Sequence, residues 1–118
     1  MKRIYLLGLI FFNSICFAQP NFQLNKKIET GATVKKIEQS KQSLKITVYM
    51  KNKTAKKYSV DETDSLNRFV VEKIHPNYCQ FFKYKNTKPD LYVDLVDRKN
   101  KSFFSSVEKY KDTCAWNY

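Results

Sequence analysis

The feature that most narrows the possible folds is a pair of cysteines, Cys79 and Cys114, in a chain that opens on an export address. Lys2 and Arg3 form a short basic region, and an apolar run follows from Ile4 to Phe17. The run ends in Cys16-Phe17-Ala18, which sets a small residue where a signal peptidase cuts. At about 14 residues it falls short of the roughly 20 that cross a bilayer. Residues 1–18 are therefore expected to be a cleavable signal peptide. Residues 19–118 are expected to be a single exported domain, periplasmic or extracellular, with no transmembrane segment of its own. A lipid anchor on Cys16 is the competing reading, and it is disfavoured because Ile15 stands where a small residue belongs.

Loss of Cys16 turns three cysteines into two. In an oxidising compartment two cysteines in one small domain pair as a disulfide. The Cys79–Cys114 bridge would close a loop of about 35 residues and contribute roughly 3–4 kcal/mol. That is a large share of the net stability of a small domain, about 5–15 kcal/mol. There is no Cys-x-x-Cys, and His75 is the only histidine, so no metal ligand set is present and no cofactor is expected. The only glycines are Gly8 and Gly31, which excludes the Gly-rich phosphate loops of nucleotide enzymes.

Along the remaining chain, residues 19–28 read as a loose lead-in. Thr33–Glu38 reads as a short strand. In Ser43–Met50, Leu44, Ile46, Val48 and Met50 alternate with Lys45, Thr47 and Tyr49, the period of a half-buried strand. Lys51-Asn52-Lys53 reads as a turn, and Thr54–Val60 as the return strand of a hairpin. The period then changes. Leu66, Phe69, Val70 and Ile74 share one helical face, so a helix is expected near 64–74. Asp61, Thr63 and Asp64 are its candidate caps, and Pro76 its stop. Aromatic-rich Asn77–Lys85 reads as a strand. Leu91–Leu95 alternates and pairs with Ser102–Val107 through a turn at Asp97–Lys101. The last stretch also fits a helix through Val107, Tyr110, Lys111 and Cys114. The expected fold is α+β: a small antiparallel sheet of about 5–6 strands with one helix, in the order ββ(β)-α-βββ, and one disulfide.

Catalytic constellations are missing. His75 has no orienting partner in sequence, Asp94 and Asp97 lie on a strand and a turn, and Ser105-Ser106 lacks the context of an exposed nucleophile. No catalytic residue is assigned and the chain is read as a non-enzyme, with a small hydrolase ranked below the binding readings. Charge is more informative. Loss of Lys2 and Arg3 takes the formal charge from +11 to +9, and Lys26–Lys57 carries ten lysines against Glu29 and Glu38. From Tyr58 onward ten basic residues face nine acidic ones. Nineteen of the basic residues are lysines and only three are arginines, which argues against nucleic acid as a partner. The expected function is a small exported binding protein of the inhibitor or immunity type. Its partner would be an acidic protein, met through the basic hairpin residues Lys45, Lys51, Lys53, Lys56 and Lys57 with Tyr49 as aromatic anchor. The alternative is an envelope- or surface-associated protein that holds anionic polymers or lipid headgroups through the same lysines.

Overall fold

The structure is a computed structural model that describes residues 21–115. The expected signal peptide with Cys16, and the aromatic end at Trp116 and Tyr118, lie outside the described residues. The chain runs β1 (Lys27–Glu29), β2 (Ala32–Gln39), β3 (Ser43–Met50), α1 (Val60–Lys73), α2 (His75–Phe82), β4 (Asp90–Val96), β5 (Ser102–Glu108) and α3 (Tyr110–Cys114). The five strands form one sheet in sequence order. It is an α+β fold, as the residue patterns predict. No helix among the described residues is long and apolar enough to cross a membrane.

The sheet is mixed, not antiparallel throughout. β2 pairs antiparallel with β3 and β5 antiparallel with β4, but β3 and β4 run parallel. The cause is the segment between them. The return strand expected at Thr54–Val60 does not form, so the basic hairpin that would have joined it to β3 is absent. Residues 51–59 are irregular, and Val60 already belongs to α1. The loop and the two helices after it make a crossover long enough to bring β4 back alongside β3 in the same direction.

The helical part is longer than expected. Ser59 caps α1: its hydroxyl accepts the Glu62 N–H at 3.1 Å, and the Glu62 carboxylate accepts the Ser59 N–H at 3.0 Å. This reciprocal box, and not Asp61, Thr63 or Asp64, starts the helix. Pro76 does not end the helical run. It lies in the first turn of α2, where no intrahelical donor is needed, and the run is only interrupted at Ile74, the cap shared by the two helices. Asn77–Phe82, expected as a strand, is helix because Ile74, Tyr78, Phe81 and Phe82 recur at helical spacing. Ile74, Tyr78 and Phe82 are buried.

Both main helices lie on one face of the sheet. The core joins Leu44, Ile46 and Val48 of β3 with Leu91, Val93 and Leu95 of β4, and closes on Leu66, Val70, Ile74 and Tyr78. Phe22, in the expected lead-in, is buried too and stacks on Phe82 with ring centres 6.1 Å apart. Cys79 and Cys114 are bonded, with Cα atoms 5.6 Å apart, and tie α3 to α2. Cys79 thus sits in a helix and not at the head of a strand. Gly31 takes φ +84° in the turn between β1 and β2, a conformation that glycine adopts without strain.

Candidate functional site

The alternation in β3 turns Lys45, Thr47 and Tyr49 away from the helices. The strand registers extend this outer face into three rows: Glu38, Lys45, Tyr92 and Val107; then Lys36, Thr47, Asp94 and Ser105; then Thr33, Tyr49, Val96 and Ser102. Lys45 is exposed, Tyr49 is half-buried and Tyr92 is exposed. Lys36 pairs with Glu38 at 3.8 Å, and the Asp94 carboxylate accepts from the hydroxyls of Ser102 and Ser105. The middle of the face is therefore mixed in charge.

One end of the sheet carries a cluster of lysines. The loop Lys51–Ser59 leaves β3 there and exposes Lys51, Lys53, Lys56 and Lys57 with no acidic residue among them. Two devices shape it. The Tyr58 hydroxyl donates to the Thr54 carbonyl at 2.6 Å and its ring lies 5.5 Å from that of Phe103. The buried Asp97 carboxylate accepts the Ala55 N–H at 3.1 Å on one oxygen. Its other oxygen accepts the N–H groups of Lys99 and Lys101 at 2.8 and 3.0 Å. One side chain thus clamps the basic loop to the β4–β5 turn. That turn is completed by Asn100 at φ 63°, and the Lys35 ammonium donates to the Asn100 side chain.

Of the residues expected to meet a partner, Tyr49, Lys51, Lys53, Lys56 and Lys57 come together at this end of the sheet. Lys45 stands four residues back along β3, about 13 Å away at strand rise. Lys56 lies 3.9 Å from Glu62 and 5.2 Å from the Tyr58 ring, so its charge is partly answered within the chain. Asp97 and Lys35 are the contributors that the sequence did not single out for this site. Asp97 was legible as a turn residue, but nothing local reveals its bond to Ala55, 42 positions away.

Three backbone N–H donors, those of Lys101 first and then Lys99 and Ala55, hold the Asp97 carboxyl below the usual carboxylate range. A lowered folded pKa makes the clamp whole above the ordinary carboxylate pKa and releases it as pH falls through the lowered value. Asp97→Asn puts an amide NH₂ against at least one of these donors. We expect hydrogen-exchange protection at Ala55, Lys99 and Lys101 to drop by about tenfold or more in this variant at neutral pH. Unchanged protection at Ala55 would remove the clamp.

His75 lies elsewhere, buried between α2 and the end of β5. Its Nε2 is 3.1 Å from a Glu108 oxygen but not aligned for a hydrogen bond, and the Thr113 hydroxyl donates to that oxygen at 2.8 Å. Burial pushes the His75 pKa below its ordinary value, against the pull of Glu108. A groove of about 400 Å³ gathers Asp90, Glu108 and Asp112, with Asp90 paired to Lys109 at 3.5 Å. No group of three or more His, Cys, Asp or Glu side chains placed to hold a metal ion occurs among the described residues. Comparison of the chain with family models, with curated proteins and with solved structures returns no match.

Proposed function

We propose that this chain is a non-enzymatic exported protein, periplasmic or secreted, that acts by binding an acidic protein in the manner of an inhibitor or immunity-type protein. The observation that carries the reading is the Lys51–Ser59 loop. It presents four exposed lysines with no acidic residue inside the loop, of which Lys56 alone pairs with a carboxylate, that of Glu62, and it is braced by Asp97 and Tyr58 beside Tyr49. A loop held in place loses little conformational entropy on binding, and a one-sign cluster on it speeds encounter with an oppositely charged surface. The leader pattern and the disulfide support the exported setting.

The test is the triple substitution Lys51→Glu, Lys53→Glu, Lys57→Glu, which leaves the Lys56–Glu62 pair in place. The tagged wild-type chain is expected to retain one envelope protein at fixed stoichiometry. The triple variant is expected to bind it at least about tenfold more weakly at low salt, mainly through a slower on-rate. Retention of that partner at full affinity by the variant would displace the loop from the interface. Binding to vesicles of anionic lipid with no stoichiometric protein would favour the alternative, in which the lysines hold an anionic envelope component.

A further inference from the structure

We infer that the outer edge of β5 accepts an added strand from the acidic partner, an extended segment with alternating apolar residues and carboxylates at one end. The inference rests on the proposed function for the partner's charge; its geometry stands separately. The two edges of the sheet are built differently. β1 has three residues, carries Lys27 and Glu29, and is bulged between them, which protects an edge against further pairing. β5 has seven residues, Ser102–Glu108, with no proline, glycine or lysine inside it. Among the described residues no strand pairs with its outer side.

The direction of the backbone groups follows from one bond. The Asp90 N–H donates to the Gln42 carbonyl on the β3 side at 3.0 Å. Even-numbered residues of β4 therefore turn their polar groups toward β3, and Leu91, Val93 and Leu95 turn theirs toward β5. Their register partners Glu108, Ser106 and Phe104 answer them. Ser105 and Val107 are left with N–H and C=O aimed at the free edge. Val107 is also 60 % exposed beside Tyr92, 37 % exposed, so an apolar side chain on an added strand finds cover there.

Charge selects the occupant. Arg98, Lys99 and Lys101 cluster at the start of β5, and the acid among them, Asp97, is already spent on three amides. A second copy paired antiparallel about Ser105 would set Lys101 of each chain against Lys109 of the other. A strand whose carboxylates are confined to the Lys101 end meets no such repulsion and keeps them clear of Asp94 and Glu108.

The experiment uses the isotopically labelled full chain and three probes. One is an eight-residue peptide of alternating valine and threonine closed by two glutamates, one is the same peptide closed by two lysines, and one is hexaglutamate. The glutamate-closed peptide is expected to shift and protect the amides of Ser105 and Val107. It should bind at least tenfold more tightly than either other probe. Ser105→Pro, which deletes one outward N–H, no backbone bond to β4 and the hydroxyl bond to Asp94, and Val107→Lys are each expected to weaken it at least tenfold, whereas Ser105→Ala, which loses only that hydroxyl, is expected to bind as the wild type does. Equal binding of hexaglutamate, or shifts confined to 51–57, overturns the inference. So does a wild-type dimer that Val107→Lys dissolves. If the captured partner is lost with the lysine triple variant but kept by Ser105→Pro and Val107→Lys, the edge is wrong and the proposed function stands. If no partner is captured while the peptide results hold, the proposed function fails and the edge stands.

Discussion

Replacing both Cys79 and Cys114 with alanine is expected to lower the unfolding free energy by about 3–4 kcal/mol, read from urea unfolding as a reduced midpoint with a steeper slope, because the opened unfolded chain exposes more surface. The bridge spans 35 positions, and the chain entropy that the unfolded state regains when a loop of that length is opened sets the figure. The loss would fall first on α3. A helix of five residues has no stability of its own in water, and here it is held by Cys114 and by Tyr110, whose ring lies 5.9 Å from that of Tyr78. Tyr110 also lies under the Lys88 ammonium at 4.7 Å, and Lys88 in turn donates to the carbonyls of Phe82, Lys83 and Lys85 at the end of α2. Opening the bridge should therefore release exchange protection in α3 and the α2 C-terminus before the sheet. A double variant with the wild-type midpoint would show that packing alone seats α3.

How much of this was legible in the residues depends on whether the signal was local. β3 was clear because every second side chain from Leu44 to Met50 is apolar, and β4 was clear for a similar reason, whereas in β5 the adjacent Phe103 and Phe104 blur the alternation and left a helix as an equal reading. The capping box was also legible, since Ser59 and Glu62 have the required spacing, but three nearby candidates drew the start of α1 too late. Asn77–Phe82 was misread because aromatic content suggests a strand, whereas the spacing of Ile74, Tyr78, Phe81 and Phe82 is helical. There the period, and not the residue type, carried the information. The parallel pairing of β3 with β4 was not legible. Alternation shows which face of a strand is buried but not which neighbour it takes or in which direction. The site divides the same way. Its lysines and Tyr49 stood out in sequence, while the Asp97 clamp and the free polar groups of Ser105 and Val107 exist only once the chain is folded.

Tyr78 is the residue that joins the helical layer to the strand that makes the sheet mixed. Its side chain is fully buried, its ring packs against those of Phe82 and Tyr110, and its hydroxyl donates to the Pro89 carbonyl immediately before β4. Burial pushes its pKa upward, so it stays a neutral donor across the physiological range. Tyr78→Ala is expected to cost about 3–5 kcal/mol, the scale of removing a large buried ring. Tyr78→Phe keeps the ring but leaves the Pro89 carbonyl without this donor, at about 1–2 kcal/mol. The ratio of the two, measured by denaturant unfolding, separates packing from the hydrogen bond. A loss below about 1 kcal/mol for Tyr78→Ala would mean that the core closes around the gap. The phenylalanine variant carries a second consequence. Pro89 precedes Asp90, whose N–H to Gln42 sets the register of β4 on β3 and, through β4, the groups that β5 turns outward. Loosening Pro89 should therefore raise exchange at the Asp90 amide before it affects any other position in β4. If the Asp90 amide stays as protected as in the wild type, the register is held by the Leu91, Val93 and Leu95 side chains, and the hydroxyl serves only to satisfy the carbonyl.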